Sequence, residues 1–240
     1  MAGRSRAAGC RGADARMSAP RAVVFDLDGT LVDSAPDIAA ALNAALGEAG
    51  HPPFDIAVVK SMVGGGARHL VKRALGAVNA AVDDHSVDRT LSRFLTIYDA
   101  APCMLTMLYP EARETLQALS AGGWRIGLCT NKPQPIAEAI LDALDVRSLF
   151  ASIVGGRPDV ALKPQPFMLR SALAALGVEG RRAVMTGDSA PDLGCARAAG
   201  VQVILLAHGY SSVPVETLGA DCVLPGFAGL IPALGALVPD

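Results

Sequence analysis

The stretch VVFDLDGTLVDS, residues 23–34, decides how the chain is read. The apolar run from Ala22 to Phe25 is too short for a helix and predicts a buried strand of a parallel sheet. It breaks into Asp26, Leu27 and Asp28, followed by Gly29 and Thr30. The carboxyl end of such a strand is where open α/β sheets bind ligands. Gly29 permits a sharp turn, and Thr30 sets a hydroxyl beside both acids. Two neighbouring acids taken out of water are costly unless a cation or a substrate balances them. With no basic residue nearby in sequence, a hard metal is expected, most simply Mg2+, which takes carboxylate and carbonyl oxygens. The plainer reading is an exposed acidic turn after a strand.

Downstream, Ser34-Ala35-Pro36-Asp37 predicts a helix start with Ser34 as its cap, and the helix runs to about Gly50. Helical spacing resumes at Asp55, at Leu70 to Leu75 and over 86–98, so the region from about 35 to 105 reads as helical throughout. The pattern then changes. A helix opening at Tyr109-Pro110-Glu111 is followed by predicted strands at 124–129, 151–154, 182–186 and 201–206. Helices at 134–144, 166–176 and 190–199 lie between them, and a last strand near 221–224 and a terminal helix close the chain. This alternation predicts an α/β fold, a Rossmann-like, mainly parallel sheet flanked by helices.

Asp26 and Thr130 lie roughly a hundred residues apart, whereas a βαβ unit needs only about 30. The intervening helices are therefore expected to form a small helical cap domain inserted after the first strand. Residues 35–105 would be this cap, with 21–34 and 106–240 as the α/β core. Extra helices packed on the flank of the sheet are the alternative.

Three later loops leave strand ends that can converge on Asp26 and Asp28. One brings the Thr130 hydroxyl and the Asn131 amide, one brings Lys163 between fixed prolines, and one brings Asp188 with Asp192 four residues on. Carboxylates suit a cation, while hydroxyl, amide and lysine suit phosphate oxygens. Each has a plainer reading when taken singly: helix caps for Thr130, Asn131 and Asp188, a first-turn acid for Asp192, and a solvated loop lysine for Lys163. In the helical region, Gly64 to Gly66 allow close backbone approach, and Arg68 is a candidate for reading a substrate carboxylate. Its plainer reading is a solvated arginine at a helix start.

The order of these segments also carries a resemblance. Asp-x-Asp-Gly-Thr-Leu-x-Asp-Ser is similar to the first motif of the haloacid dehalogenase superfamily, most of whose members are phosphatases. LCTNKP resembles its second motif, LKPQP its lysine motif and GDSAPD its acidic motif, in the family's order, over residues 22 to about 206. The helical insertion resembles the family's cap. Pro191 and the segment GGRPDVALKP depart from the usual pattern. The resemblance implies Asp26 as nucleophile, Asp28 as general acid and base, and Mg2+ held by Asp26, the Asp28 carbonyl and Asp188, with Asp192 supporting the metal from behind. It also implies that Thr130, Asn131 and Lys163 stabilise the transferring phosphoryl, while Gly66 and Arg68 stay candidates from the reading of the helical region alone. The implied partner is a small phosphorylated metabolite. A sugar-phosphate phosphatase, a phosphoglucomutase-like isomerase and a non-catalytic binding protein on the same fold are the alternatives.

Composition narrows the field. The chain has 240 residues, 51% of them apolar and 18% charged, a globular mixture with ample material for a core. A formal net charge of −2 leaves no basic surplus for nucleic acid or an anionic membrane. The five cysteines are scattered without a CxxC pair, which predicts reduced thiols and a cytoplasmic setting. The four histidines lack ligand spacing. No apolar run reaches the roughly 18 residues of a membrane span. Residues 1–16 are rich in Arg, Ala and Gly, and residues 1–20 read as a disordered extension, with Met17 as an alternative start. Monomer and homodimer are both open.

Overall fold

The computed structural model describes residues 19–239. The expectations for the N-terminal extension and for Met17 fall on residues outside these.

Within the described residues the chain opens with β1 (Ala22–Phe25) and the short β2 (Val32–Asp33), then enters four helices: α1 (Ala35–Glu48), α2 (Ile56–Met62), α3 (Ala67–Ala77) and α4 (Asp84–Ala100). It returns through β3 (Met107–Leu108) and α5 (Ala112–Ala121) to β4 (Arg125–Pro133), α6 (Gln134–Ala143), β5 (Ser152–Gly156) and α7 (Phe167–Leu176). It finishes with β6 (Ala183–Gly187), α8 (Ala190–Ala199), β7 (Gln202–Leu206), β8 (Cys222–Leu224) and α9 (Leu230–Leu237). No helix among the described residues is long and apolar enough to cross a membrane.

Six strands form one parallel sheet in the order β5-β4-β1-β6-β7-β8. β1 sits between β4 and β6, where strand order reverses, the usual position of a ligand crevice in open α/β sheets. Because side chains alternate along a strand, β1 serves both faces. Val23 and Phe25 join the core with Leu116, Ile140 and Leu234, while Ala22 and Val24 join Met168, Leu173 and Cys195. Each large side chain fully buried there is stabilising by about 1.5–3 kcal/mol. This double burial explains why the strand is apolar at every position.

The α/β expectation holds, with two differences from the spans read in sequence. β4 continues through Thr130, Asn131 and Lys132 to Pro133, where a turn was expected after Cys129. Residues Ile126 to Lys132 are all buried, and a register shift against β5 between Cys129 and Pro133 carries the strand end over the sheet. The two-residue β2 and β3, antiparallel to each other, escaped notice because such short segments carry no periodicity. They pair at the place where the chain leaves and re-enters the core.

The helices α1 to α4 pack on one another, α1 against α2 and α4, and α3 against α2 and α4. Asp37 braces the return of the chain. Its carboxylate accepts from the backbone N–H groups of Met104, Leu105 and Thr106 and from the Thr106 hydroxyl.

Candidate active site

Four strand ends converge above β1. The Asp26 N–H donates to the Thr186 carbonyl at 2.9 Å, which continues the β1–β6 ladder one residue past Phe25 and aims the carboxylate out of the sheet edge. Gly29, with φ of +81°, closes the following turn; a Cβ there would stand 2.6 Å from Asp188 Oδ2, so only glycine lets the two acidic loops approach this closely. Across that approach Thr30 Oγ1 donates to Asp188 Oδ1 at 2.8 Å, and the Tyr210 N–H donates to Asp188 Oδ2 at 2.7 Å.

Lys163 lies in the middle and is only 4% exposed. Its Nζ is 2.6 Å from Asp192 Oδ1 and 2.9 Å from Asp26 Oδ1. Asp192 is also the anchor of α8. Its Oδ2 accepts from the Ser189 hydroxyl and from the N–H groups of Ser189 and Asp188, forming a capping box. Burial opposes the Lys163 charge, but Asp192 and Asp26 outweigh it and hold the ammonium well above the usual lysine range. Burial pushes the Asp26 carboxyl up to about 6, against the pull of Lys163. Burial, then the charges of Asp192 and Asp26, push Asp188 well above the usual carboxylate range.

These shifts describe an acid-rich centre short of positive charge. Asp26, Asp188 and Asp192 each place a carboxylate oxygen within 4.8 Å of the others, and all three are buried. Asp26 Oδ1 is fully buried without a well-directed hydrogen bond among the described residues. An all-oxygen set of three buried carboxylates, with Lys163 as the one cation paired to Asp26 and Asp192 among the described residues, fits a hard divalent cation. Asp192 takes one donor on Oδ1 and three on Oδ2, whereas each Asp188 oxygen takes one and Asp26 pairs through Oδ1 with Lys163, so Asp26 and Asp188 keep more lone pairs for a cation.

Asp28 is held separately. Its carboxylate is outside this cluster: Oδ1 accepts from Lys132 Nζ at 2.8 Å and from the Ser34 hydroxyl. Ser34 therefore makes no side-chain cap to α1, contrary to expectation. Lys132 was not singled out in sequence, since a lysine in a presumed turn is ordinarily solvated. It is buried, and its Nζ also donates to the Tyr98 hydroxyl of α4 at 2.6 Å and sits 4.6 Å from the Tyr98 ring centroid. Burial disfavours its charge, yet Asp28 and then Tyr98 shift it upward overall.

A cavity of about 60 Å3 lies between the sheet edge and the helices, lined by Asp26, Asp28, Thr130, Asn131 and Asp188 on the core side. Gly64, Gly66, Leu70, Phe94 and Tyr98 line it from the helical side. Gly66 has φ of +85°, and a Cβ there would meet Leu162 at 2.8 Å. The glycine loop docks on Asn131, whose Nδ2 donates to the Gly64 carbonyl at 2.9 Å and to the Lys163 carbonyl at 3.1 Å. The Asn131 side chain is thus committed to the two flanking loops rather than aimed at a phosphate. Thr130 is buried, and its Oγ1 accepts from the Lys132 N–H at 3.3 Å.

Arg68 is not brought to the cavity. Its guanidinium pairs with Asp84, 2.7 Å away, and with Asp88, both exposed acids at the start of α4. Those partners lie on another helix, invisible to a local reading.

A late segment, absent from the sequence-level site, completes the support. His208 stacks on Tyr109 with centroids 3.9 Å apart, and its Nε2 lies 3.1 Å from the Thr30 carbonyl. The Tyr210 hydroxyl donates to Asp33 Oδ1 at 2.6 Å and accepts from the Ala35 N–H at 3.0 Å.

The chain is similar to known proteins over most of its length. A curated phosphoglycolate phosphatase from Rhodospirillum rubrum is 45% identical over 220 residues, covering 90% of this chain and 91% of the relative. One from Yersinia pseudotuberculosis is 40% identical over 221 residues, 92% of this chain and 95% of the relative. The crystal structure of a predicted phosphoglycolate phosphatase from Haemophilus somnus superposes with a TM-score of 0.82 at 29% identity, covering 90% of this chain and 99% of that one. The profile of the haloacid dehalogenase-like hydrolases matches residues 20–200, and the chain belongs to that family.

Proposed function

We propose that this enzyme is a Mg2+-dependent phosphatase that hydrolyses 2-phosphoglycolate to glycolate and phosphate. The chain is a phosphoric monoester hydrolase by family and by its curated relatives. The observation that carries the finer reading is the cavity above Asp26, which joins a nucleophile, a separately held second acid and an acid cluster.

Asp26 attacks phosphorus through a carboxylate oxygen, forming an acyl phosphate as the bond to the leaving alkoxide breaks. Asp28 hands its proton to that alkoxide. Water then attacks the phosphorus, Asp28 takes the water's proton, and the bond to Asp26 breaks to release phosphate and restore both acids. Lys132 and Ser34 keep the Asp28 carboxylate out of the acid cluster, so the two aspartates have separate tasks. Lys163 offers positive charge beside the attacking oxygen, oriented by Asp192. A Mg2+ ion held by Asp26, Asp188 and the Asp28 carbonyl would neutralise charge on the phosphoryl oxygens. The helices α1 to α4 act as a cap that covers the site and excludes water. Mg2+ dependence, the acyl phosphate and a cytoplasmic location are parts of this proposal.

The relatives named phosphoglycolate phosphatase, 45% and 40% identical over most of the chain, favour that substrate over a hexose phosphate. The test is phosphate release from 2-phosphoglycolate and from a panel of sugar phosphates, with and without Mg2+. A metal-dependent preference for 2-phosphoglycolate is expected. A preference for a sugar phosphate would overturn the substrate, and isomerised product without phosphate release would overturn hydrolysis.

A further inference from the structure

We infer that Lys132, held by Tyr98 of α4, binds the second anionic group of the substrate, a carboxylate, and so selects acidic phosphomonoesters. The inference rests on the phosphoglycolate reading above and names the residue that would recognise the acid.

The charged lining of the cavity is mostly acidic: Asp26, Asp28 and Asp188 all border it. A substrate with both a phosphate and a carboxylate brings more negative charge into that space than a simple ester does. Lysine 163 cannot balance the added charge, because it is tied to Asp26 and Asp192. Arg68 cannot either, because its guanidinium is paired on the outer side of the helices. Among the described residues lining the cavity, Lys132 carries the one positive charge.

Its bonding leaves room for the role. An ammonium has three donors. Asp28 Oδ1 accepts one at 2.8 Å and the Tyr98 hydroxyl accepts a second at 2.6 Å. The third is left for a group in the cavity, and with its side chain only 2% exposed Lys132 is little screened by water. The N-terminus of α3, which has no side-chain cap, borders the same cavity through Gly66 and Ala67 and adds favourable potential for an anion. Tyr98 comes from the helical side and Lys132 from the core, so the carboxylate site exists only while the two are together.

The test compares 2-phosphoglycolate with ethyl phosphate, which keeps the leaving oxygen and lacks the carboxylate. In Lys132→Met, kcat should fall on both substrates, because Asp28 loses its partner. KM should rise about 30-fold for 2-phosphoglycolate and less than about threefold for ethyl phosphate, the scale of one lost charge-assisted hydrogen bond. Lys132→Arg should recover part of the KM for 2-phosphoglycolate. Equal KM changes on both substrates would overturn the inference and leave Lys132 as a positioning residue for Asp28. Should Lys132→Met fail to fold, Tyr98→Phe carries the same comparison. A KM rise confined to 2-phosphoglycolate supports the inference, and a shift shared by both substrates overturns it. The wild-type enzyme separates the two readings beforehand: no preference for 2-phosphoglycolate over ethyl phosphate overturns the substrate assignment itself.

Discussion

The side-chain amide of Asn131 clasps the Lys163 peptide from both sides. Its Oδ1 accepts from the Lys163 N–H at 2.8 Å, and its Nδ2 donates to the Lys163 carbonyl at 3.1 Å. The end of β4 thereby sets the position of a loop that has no regular structure of its own. The same Nδ2 reaches Gly64, so one residue aligns the lysine loop and the glycine loop together.

Asn131→Ala would leave a buried N–H and carbonyl of Lys163 without that partner. The expected cost is about 1–3 kcal/mol of stability, with a fall in kcat as Lys163 loses register. Denaturant unfolding alongside steady-state kinetics checks this. An unchanged kcat would mean that the lysine loop holds its shape unaided.

Asp26→Asn should abolish turnover, since the amide is not a competent nucleophile. Substantial retained activity would rule out the covalent route. Quenched-flow trapping of labelled phosphate on the wild-type protein, absent in the variant, reads the acyl phosphate directly.

The same substitution isolates a pH effect on stability. Burial raises Asp26 from 3.8 to about 6, so the folded metal-free protein binds this proton more tightly than the unfolded chain. The resulting stabilisation is complete below the unfolded value and is lost as pH rises through about 6. Roughly two units correspond to about 3 kcal/mol. Wild-type protein in chelator should therefore lose stability relative to Asp26→Asn between pH 4 and pH 7. Asp188 is raised as well, in part by the Asp26 charge, so its easing in Asp26→Asn adds to the same difference. Asp33 through Lys60 and Asp221 through Arg197 run the opposite way, and these are common to both proteins and cancel. A divalent cation should restore the wild-type protein more at pH 7 than at pH 5, as thermal melts would show.

Gly66→Ala should weaken the closed arrangement. The added Cβ meets Leu162 at 2.8 Å, and φ of +85° is unfavourable for any side chain. A cost of about 1–3 kcal/mol is expected, and kcat/KM should fall about tenfold or more because the glycine loop moves off Asn131. Normal kinetics in this variant would show that the loop does not border the bound substrate.

Arg68→Ala, by contrast, should change KM for acidic and neutral phosphate esters by less than about twofold, since exposed ion pairs contribute little. Its partners Asp84 and Asp88 are both exposed. A large, substrate-selective KM effect would place the guanidinium in the cavity during turnover.

The fold class and the family were legible in the sequence because their signals are local. An all-apolar strand running into paired acids marks a buried parallel strand wherever it occurs, and the later motifs follow at strand ends in chain order. Asp26, Thr130, Lys163, Asp188 and Asp192 were all found in this way, and the structure gathers them around one centre. What tertiary structure alone decided is where each side chain points and what it touches. Lys132 turns inward to Asp28 across 104 residues of sequence, and Arg68 turns outward to Asp84 and Asp88. The Asn131 amide is taken up by neighbouring loops, and Tyr210 reaches back 177 residues to Asp33. Spacing along a chain encodes which face of a helix or strand a residue occupies, but the charge it meets there belongs to a distant segment, and only packing brings the two together.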